Sequence, residues 1–240
     1  MSNAPSPSPA GNSSRRSGPR TLVTAGPTHE PIDRVRFLGN RSSGRLGLAI
    51  AEAAARRGCP TTLLLGPVES PPSPSIPQLE LLRFRTAADL ERLLREHAPE
   101  CDLIVMAAAV ADFRPRSLHD GKHRRTNEGL TLELEAVPDL LAGLASRRRA
   151  GQRIVGFALE EASDLEHRAV AKLRRKAIDA IVANPLETMD SREVRGLLFF
   201  ADGRRETPPG HPKAIAKEAF ASWLVDRLLA DDRTSVHAEI

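Results

Sequence analysis

The sequence predicts an α/β fold: a three-layer open sheet of mainly parallel strands with helices on both faces. From Arg20 onward, short apolar segments alternate with longer segments of helical periodicity, as in a parallel sheet with crossover helices. The run LIVMAAAV from Leu103 is continuously apolar, which is typical of a central strand buried on both faces. Ligands of such sheets bind beyond the carboxyl ends of the strands, so we search those ends for a site.

The predicted elements follow in a regular order. The strand candidates are Thr21–Ala25, Thr61–Leu65, Leu79–Phe84, Asp102–Ala108, Leu130–Leu134, Ile154–Ala158, Ala180–Ala183 and Leu197–Ala201. The helix candidates are Gly44–Arg57, Ala87–His97, Leu140–Arg148, Asp164–Ala177 and Lys213–Leu229. Thr86 and Ser163 are the expected N-caps of two helices, since each is followed three residues later by an acid, Asp89 and Glu166. Gly58 is expected to end the first helix in the left-handed conformation.

Composition excludes several classes of function. The net charge of +4 would suit nucleic acid, but only 3% of residues are aromatic and Tyr is absent, so we expect no nucleic-acid partner. Cys59 and Cys101 lack CxxC spacing, which predicts a reducing, cytoplasmic setting. The longest apolar stretch, Leu103 to Val110, is too short to span a bilayer, so no membrane contact is expected. The seven His residues show no metal-binding spacing.

The two ends of the chain differ from its centre in composition. Residues 1–19 are Ser, Pro, Gly and Asn with few apolar residues, which predicts a disordered leader without a secretory h-region. Residues 20–230 are predicted to form one domain, and residues 231–240 a flexible tail.

The loop after the first strand carries more polar chemistry than a connection needs. It contains Gly26, Asn40, Ser42 and Ser43, and it ends at Gly44, where a helix is predicted to begin. Unpaired amide groups and the helix dipole make such a helix start an anion site. The spacing fits neither a P-loop nor a dinucleotide-binding fingerprint. The alternative is a plain strand–helix connection whose glycines only allow close packing.

Two further groups of charged residues suggest a polyphosphate ligand. Asp112 comes directly after the central strand, and a basic cluster follows Asp112 about ten residues later: Lys122, Arg124 and Arg125. A carboxylate with such a cluster suits a magnesium-bound polyphosphate, with Asp112 as a ligand of the metal. A solvated basic loop paired to acids such as Asp120 or Glu128 is the alternative. Lys172 and Lys176 lie four residues apart on one helix face, where they bind an anion or simply face water.

These motifs resemble a known family. The pieces TAGPTHEPIDRVRFLGNRSSGRLG, AAAVADFRP, PDLLAG, VGFALE and AIVAN stand in this order and resemble phosphopantothenoylcysteine synthetase, also called phosphopantothenate–cysteine ligase. The resemblance extends from about Arg20 to Leu229 and implies a Rossmann-like fold. It also implies a free-standing synthetase, since no flavin-dependent decarboxylase domain precedes these motifs.

The resemblance implies a reaction in two steps. The carboxylate of 4′-phosphopantothenate attacks the α-phosphate of CTP, the co-substrate in most bacteria, and pyrophosphate leaves. The amine of L-cysteine then attacks the acyl-nucleotidylate and releases CMP. The family implies Mg²⁺, a cytoplasmic homodimer and a separate flavin-dependent decarboxylase as a further partner.

The resemblance also implies the roles of individual residues. Asn40 matches the Asn that holds the acyl-nucleotidylate, Arg36 would balance negative charge, and Lys122 matches a lysine needed for turnover. Gly26, Ser42, Ser43 and Gly44 form the phosphate or substrate loop in this reading. The positions that match nucleotide-binding positions are Ala108, Ala109, Asp112, Lys122, Pro138, Asp139, Leu140, Leu141, Phe157, Lys172 and Lys176.

Three departures from the family pattern keep alternatives open. The basic K-I-K-K motif is here Lys122-His123-Arg124-Arg125, and the A-N-D motif has Pro185 in place of its Asp. The S-D-x-N motif loses both polar groups at Arg192 and Val194. The alternatives are the same ligase using ATP and a catalytically degenerate, nucleotide-binding or regulatory homologue.

Overall fold

A computed structural model describes residues 18–68, 76–125, 127, 129–189 and 191–231. The leader predicted for residues 1–19 lies outside the described residues except for Gly18 and Pro19, and the predicted tail does so except for Asp231. The amide of Gly18 donates to the carbonyl oxygen of Gly58 at 3.2 Å, so the described chain already contacts the domain at Gly18.

Fourteen strands and five helices are present in the described residues. The strands are β1 Thr21–Ala25, β2 His29–Pro31, β3 Phe37–Gly39, β4 Thr61–Leu65, β5 Leu79–Arg83, β6 Leu103–Met106, β7 Phe113–Pro115, β8 Leu134–Ala136, β9 Arg153–Glu160, β10 Ala180–Pro185, β11 Glu193–Val194, β12 Leu197–Phe200, β13 Arg205–Glu206 and β14 Ile215–Ala216. The helices are α1 Arg45–Arg56, α2 Ala87–His97, α3 Leu140–Ser146, α4 Leu165–Lys176 and α5 Lys217–Ala230.

The central sheet has eight strands in the order β13-β12-β10-β9-β6-β1-β4-β5. Its six strands from β10 to β5 are parallel, and only β12 and β13 run antiparallel to their neighbours. The mainly parallel sheet that the sequence predicts is therefore confirmed. The chain moves outward from β1 to β4 and β5 and then returns to β6 on the other side of β1. The strand order reverses there, which is where open α/β sheets bind ligands.

Two apolar layers cover the sheet. On one face, α1 and α5 pack against Val23, Leu63 and Val105, with Phe220 fully buried between them. On the other face, α2, α3 and α4 pack against Leu22 and their strand neighbours. Successive residues of β1 thus point to opposite layers, as the period of two in a strand requires. In the part of the chain that the structure describes, no helix has the length and apolar character needed to cross a bilayer.

Two caps predicted from the sequence are confirmed. Thr86 and Asp89 form a reciprocal capping box at the start of α2. Gly58 has φ +80° after α1, and the amides of Gly58 and Cys59 donate to carbonyl oxygens of the last turn. The prediction that Ser163 caps α4 is wrong. Asp164 is the N-cap residue of this helix, and the Asp164 side chain accepts no hydrogen bond from the first turn.

Other boundaries also differ from the prediction. The predicted strand Leu130–Leu134 is wrong: the strand begins at Leu134 and pairs with β7 in a ribbon outside the central sheet. Its leucines alternate as in a strand but are 37–51% exposed, so apolar periodicity misled the prediction. The last helix begins at Lys217 rather than Lys213, because Ile215–Ala216 first pair with β11.

Candidate active site

A cavity of about 920 Å³ lies at the carboxyl edge of the sheet, where the strand order reverses between β1 and β6. It is lined by the loop before α1, the segments after β6, β9 and β10, the start of α3, one face of α4 and the start of α5. A cavity of this size is large enough for a nucleotide together with part of a second substrate. Residues at the carboxyl ends of several strands therefore line one concave surface.

The loop before α1 presents the helix terminus to this cavity. Asn40, Ser42, Ser43 and Gly44 line it. Gly44 is the N-cap with φ +70°, and it has no side chain with which to satisfy the first amide groups of α1. A Cβ at Gly44 would lie 2.9 Å from Val68 Cγ1 and 3.2 Å from the Gly26 nitrogen, so only Gly fits. The first turn of α1 contains no acidic residue, and its amides are suited to an anion.

Asn40 is held across the cavity mouth. Its Nδ2 donates to the carbonyl oxygen of Val110 at 2.9 Å, which joins the first loop to the segment after β6. The two segments are also joined by hydrogen bonds from Thr28 N to Ala109 O and from Ala109 N to Gly26 O. The side chain of Asn40 is therefore oriented by the second loop that the sequence singles out.

Arg36 and Lys122 do not line the cavity in the described structure, and neither does Gly26. Arg36 pairs with Asp33 at 3.0 Å and donates to the carbonyl oxygen of His123 at 2.6 Å. The sequence treats residues 27–43 as one polar loop, but β2 and β3 form a hairpin there that carries Arg36 away from α1. Lys122 is exposed on the neighbouring loop, and Gly26 lies behind Gly44 with φ +83°. The roles that the resemblance implies for Arg36 and Lys122 stay predictions.

Asp33 fixes the turn of this hairpin. Its buried position opposes ionisation, but hydrogen bonds from the amides of Val35, Arg36 and His123, together with the Arg36 guanidinium, outweigh that effect and lower the pKa of Asp33 to about 2. Asp33 therefore carries a negative charge at neutral pH and ties the hairpin to the loop around His123.

The segment after β6 gives the cavity a flat wall and one carboxylate. Ala108 and Ala109 line it with small side chains, and Ala108 N is held by Thr24 Oγ1 at 3.1 Å. Asp112 is exposed at the mouth of the same cavity. Asp120, the alternative partner for the basic loop, instead contacts Arg34, and Glu128 lies outside the described residues.

The start of α3 forms a second wall. Pro138, Asp139, Leu140 and Leu141 all line the cavity, and their role in nucleotide binding stays a prediction. Asp139 caps α3 by accepting from the amide of Ala142 at 3.0 Å, and it also forms an ion pair with Lys176. The carboxylate thus has a structural role at the start of α3.

Lys172 and Lys176 both face the cavity, beside Phe157. Lys172 Nζ donates to the Phe157 carbonyl oxygen at 2.8 Å, and burial is the main cause that lowers the pKa of Lys172. The nearby carboxylates of Glu160 and Asp112 act in the opposite direction. The lysine face is therefore part of the cavity rather than a solvated surface, and each lysine has an internal partner.

Sequence reasoning missed the polar groups at the far end of the cavity. Asn184 and Lys217 line it and are only 8% and 7% exposed. Asn184 lies in the AIVAN motif, yet it is not among the site residues that the sequence predicts. Lys217 falls inside the predicted helix Lys213–Leu229, and the helical pattern gives no sign of its burial.

The described residues contain no cluster of three or more His, Cys, Asp or Glu side chains suited to a metal ion. Asp112 alone is compatible with Mg²⁺, because this ion is commonly bound by one or two carboxylates together with substrate phosphates. Asp112 therefore fits a metal ion that binds together with a polyphosphate, not one held by protein ligands alone.

Comparison with known proteins identifies the family. The model of the DNA/pantothenate metabolism flavoprotein C-terminal domain matches residues 16–230. The coenzyme A biosynthesis bifunctional protein CoaBC of Mycobacterium tuberculosis is 41% identical over 224 residues, which cover 88% of this chain and 52% of that protein. A cysteine/cysteine sulfinic acid decarboxylase from an unknown prokaryotic organism is 42% identical over 170 residues, covering 71% and 46%. The chain spans about half the length of the curated relatives it matches.

Solved structures agree. The crystal structure of the C-terminal domain of a coenzyme A biosynthesis bifunctional protein CoaBC has a TM-score of 0.73 and 32% identity, covering 89% of this chain and 95% of that one. A Cab2 mutant in complex with phosphopantothenate-cysteine has a TM-score of 0.68, with 89% and 88% coverage; its 21% identity supports the fold alone. The chain therefore belongs to the DNA/pantothenate metabolism flavoprotein C-terminal domain family.

Proposed function

We propose that this protein joins 4′-phosphopantothenate to L-cysteine at the expense of a nucleoside triphosphate, in coenzyme A biosynthesis. The observation that carries the proposal is one cavity that combines the amide-rich start of α1, the Asn40 side chain and the lysine face of α4. The family and the name of the Mycobacterium tuberculosis relative support the pathway.

The first step is attack of the phosphopantothenate carboxylate on the α-phosphate of the nucleotide. A carboxylate oxygen–phosphorus bond forms, and the bond to pyrophosphate breaks. Lys172 and Lys176 favour this step by neutralising the phosphates, and the first amides of α1 bind an anionic group of either substrate. When bound, Mg²⁺ would neutralise phosphate charge, with Asp112 as its protein ligand.

The second step is attack of the cysteine amine on the acyl carbon. A carbon–nitrogen bond forms, the carbon–oxygen bond to the nucleotide breaks, and the nucleoside monophosphate leaves with the electron pair. We propose that Asn40 holds the intermediate; the orientation of its side chain across the cavity mouth, where Nδ2 donates to Val110 O, supports this role. No protein nucleophile is needed, because positioning and charge neutralisation carry both displacements.

We favour CTP over ATP as the nucleotide, on resemblance to the bacterial family. The narrow wall formed by Ala108, Pro138 and Phe157 would receive the base. We also propose that the protein acts in the cytoplasm and that its product passes to a flavin-dependent decarboxylase activity.

We propose a homodimer formed through one apolar patch, which consists of Val35, Phe37, Phe113, Leu118, Leu130, Leu132 and Leu134. These residues are 37–62% exposed and belong to the β2–β3 hairpin, the β7–β8 ribbon and the loop within that ribbon. The hairpin and the loop are joined by hydrogen bonds from Arg34 N to Gly121 O and from His119 N to Ile32 O. A cluster of exposed apolar side chains of this kind is typical of a protein–protein contact.

Pyrophosphate release tests the proposed function. The protein is assayed with phosphopantothenate and Mg²⁺, with CTP and ATP in separate reactions, and with or without cysteine. We expect release with CTP that requires phosphopantothenate, and formation of phosphopantothenoylcysteine only when cysteine is added. Faster release with ATP would reassign the nucleotide. Binding of nucleotide without release under any condition would favour the degenerate homologue and overturn the proposal.

A further inference from the structure

Lys217 is an unusual residue for its position. It is the first residue of α5, where the helix dipole is positive, and it is 7% exposed. An ammonium at this end of a helix meets a like partial charge, and burial removes part of its hydration, so an anion bound beside it would be stabilised. The main chain fixes its place, since Lys217 N donates to Arg192 O at 3.1 Å and the preceding residues pair with β11. Such a group is suited to an anion in the cavity that it lines.

Asn184 adds a second and independent polar group. It stands near the end of β10, lines the same cavity and is 8% exposed. Its Oδ1 is buried and has no hydrogen-bond partner among the described residues. An unpaired buried amide oxygen costs about 1–3 kcal/mol, so its retention calls for a donor from a ligand. A half-turn about the soft Cβ–Cγ bond exchanges the positions of the amide oxygen and nitrogen, which would let the oxygen face the cavity that Asn184 lines.

The packing brings these two residues to one end of the cavity. A Cβ at Gly196 would lie 2.6 Å from Asn184 Oδ1 and 2.4 Å from Phe220 Cζ, so Asn184 and Phe220 meet over this glycine. Phe220 follows Lys217 by three residues and therefore lies one turn below it on the same face of α5. Thr188 and Val194 complete this end of the cavity, which we call the α5 subsite.

We infer that the α5 subsite, with Lys217 and Asn184 as its polar groups, binds the α-amino acid substrate. This inference rests on the proposed function and names the site of its second substrate. A free α-amino acid carries a carboxylate and an amine on adjacent atoms. Lys217 and the start of α5 fit the carboxylate, and Asn184 Oδ1 accepts from the amine.

The assignment is compatible with the division of charge in the cavity. Lys172 and Lys176 project from α4, on the opposite face of the sheet from α5, so the polyphosphate and the amino acid approach from different sides. The cysteine ammonium gives one proton to water before attack, and the new amide nitrogen gives another after it. Asn184 only orients the nitrogen and takes no proton.

The decisive experiment compares cysteine with cysteamine, which has the same amine and thiol but no carboxylate. Lys217→Met is expected to raise the KM for cysteine about 10- to 100-fold, the range for loss of a charge-assisted hydrogen bond. The same variant should leave the KM for cysteamine within about twofold. The pyrophosphate burst with CTP and phosphopantothenate precedes cysteine, so Lys217→Met should affect this burst far less than it affects the KM for cysteine.

Further variants separate binding from folding. Lys217→Arg should restore most of the preference for cysteine, because it keeps the charge. Asn184→Ala should weaken cysteine and cysteamine alike, since both present the amine. Lys213→Met is the matched control, because Lys213 is exposed and lies outside the cavity, and it should behave as the wild type.

Three outcomes would overturn the inference. The first is a slower pyrophosphate burst in Lys217→Met with an unchanged KM for cysteine. The second is an equal rise in the KM values for cysteine and cysteamine in that variant. The third is an unchanged KM for cysteine in both Lys217→Met and Asn184→Ala. Should the wild type show no burst, the proposed function fails, and calorimetric titration with L-cysteine then decides the subsite. Binding by wild type and Lys213→Met, but not by Lys217→Met, supports it; no binding by the wild type contradicts it.

Discussion

The Lys172 ammonium donates a hydrogen bond of 2.8 Å to the carbonyl oxygen of Phe157. This contact holds the side chain against the end of β9, inside the cavity. The bond satisfies one of three ammonium protons, which leaves the others for a ligand. Lys172 is therefore already oriented toward the phosphates that we propose it binds.

The first prediction concerns pH. Burial lowers the pKa of Lys172 from its usual value of 10.5, so the charge is lost at a lower pH than in the unfolded chain. Nucleotide affinity should therefore fall as pH rises through this lowered pKa. The free energy of unfolding without ligand should instead rise with pH over this range. The reason is that the unfolded chain still binds the Lys172 proton that the folded protein has lost, so unfolding takes up a proton and becomes less favourable.

Nucleotide titration calorimetry and urea unfolding between pH 7 and about pH 10.5 measure both effects. Lys172→Met should bind nucleotide weakly at every pH and lose both trends. Lys213→Met is the matched control, because Lys213 is exposed and lies outside the cavity, and it should keep both trends of the wild type. Parallel pH profiles for Lys172→Met and the wild type would contradict the assignment.

The second prediction concerns Asp33→Asn. The Asp33 carboxylate accepts three amide hydrogen bonds, and its pKa is about 2 in the folded protein. This depressed pKa stabilises the fold above the unfolded value of about 4, and the stabilisation is lost as pH falls through the folded value. The variant should be less stable than the wild type at neutral pH, and the difference should vanish once Asp33 is protonated. Urea unfolding at neutral and at strongly acidic pH checks it, and a constant difference would refute it.

The third prediction concerns the packing of α1 on β1. A Cβ at Gly47 would lie 2.6 Å from Ala25 Cβ and 3.0 Å from Thr24 O. Gly47→Ala should therefore push the helix from the strand and cost about 1–3 kcal/mol in the free energy of unfolding. Gly143→Ala is the matched control, since its nearest contact is an ordinary 3.6 Å to Arg147 Nη1. Equal stability of the two variants would show that α1 packs differently.

The fourth prediction concerns the apolar patch. Leu118 is 62% exposed and lies in the patch, whereas Leu81 is 37% exposed on the edge strand β5. Leu118→Glu should shift the mass in solution from dimer to monomer, because it places a charge in the proposed interface. Leu81→Glu should remain a dimer. Light scattering at micromolar concentration measures both, and a monomeric wild type would rule out the dimer.

Where a segment packs on the sheet, the sequence predicts it well. The apolar runs around Leu22 and Ile104 alternate between two covered faces, and their strands are present within a few residues of the prediction. The Thr86 cap is local, so three residues suffice to predict it. These features depend on short-range chemistry and on burial, and both produce a recognisable pattern of residue types along the sequence.

The segments that lie outside the central sheet could not be predicted in the same way. Leu130 and Leu132 are apolar yet exposed, so their alternation predicts a buried strand that does not exist. The hairpin around Arg36 is held by Asp33 through contacts with His123, far along the chain. The burial of Lys217 likewise depends on the pairing of β11 with β14, which periodicity does not encode.

The most direct test of the account is rapid-quench detection of the acyl-nucleotidylate in the absence of cysteine. Wild type with CTP, Mg²⁺ and phosphopantothenate should form the intermediate together with pyrophosphate. Asn40→Asp should reduce it by about 10²–10³, because a donor is lost and a carboxylate faces an anionic intermediate. A wild type that binds both substrates yet forms no acyl-nucleotidylate, or an Asn40→Asp variant that matches it, would contradict the account.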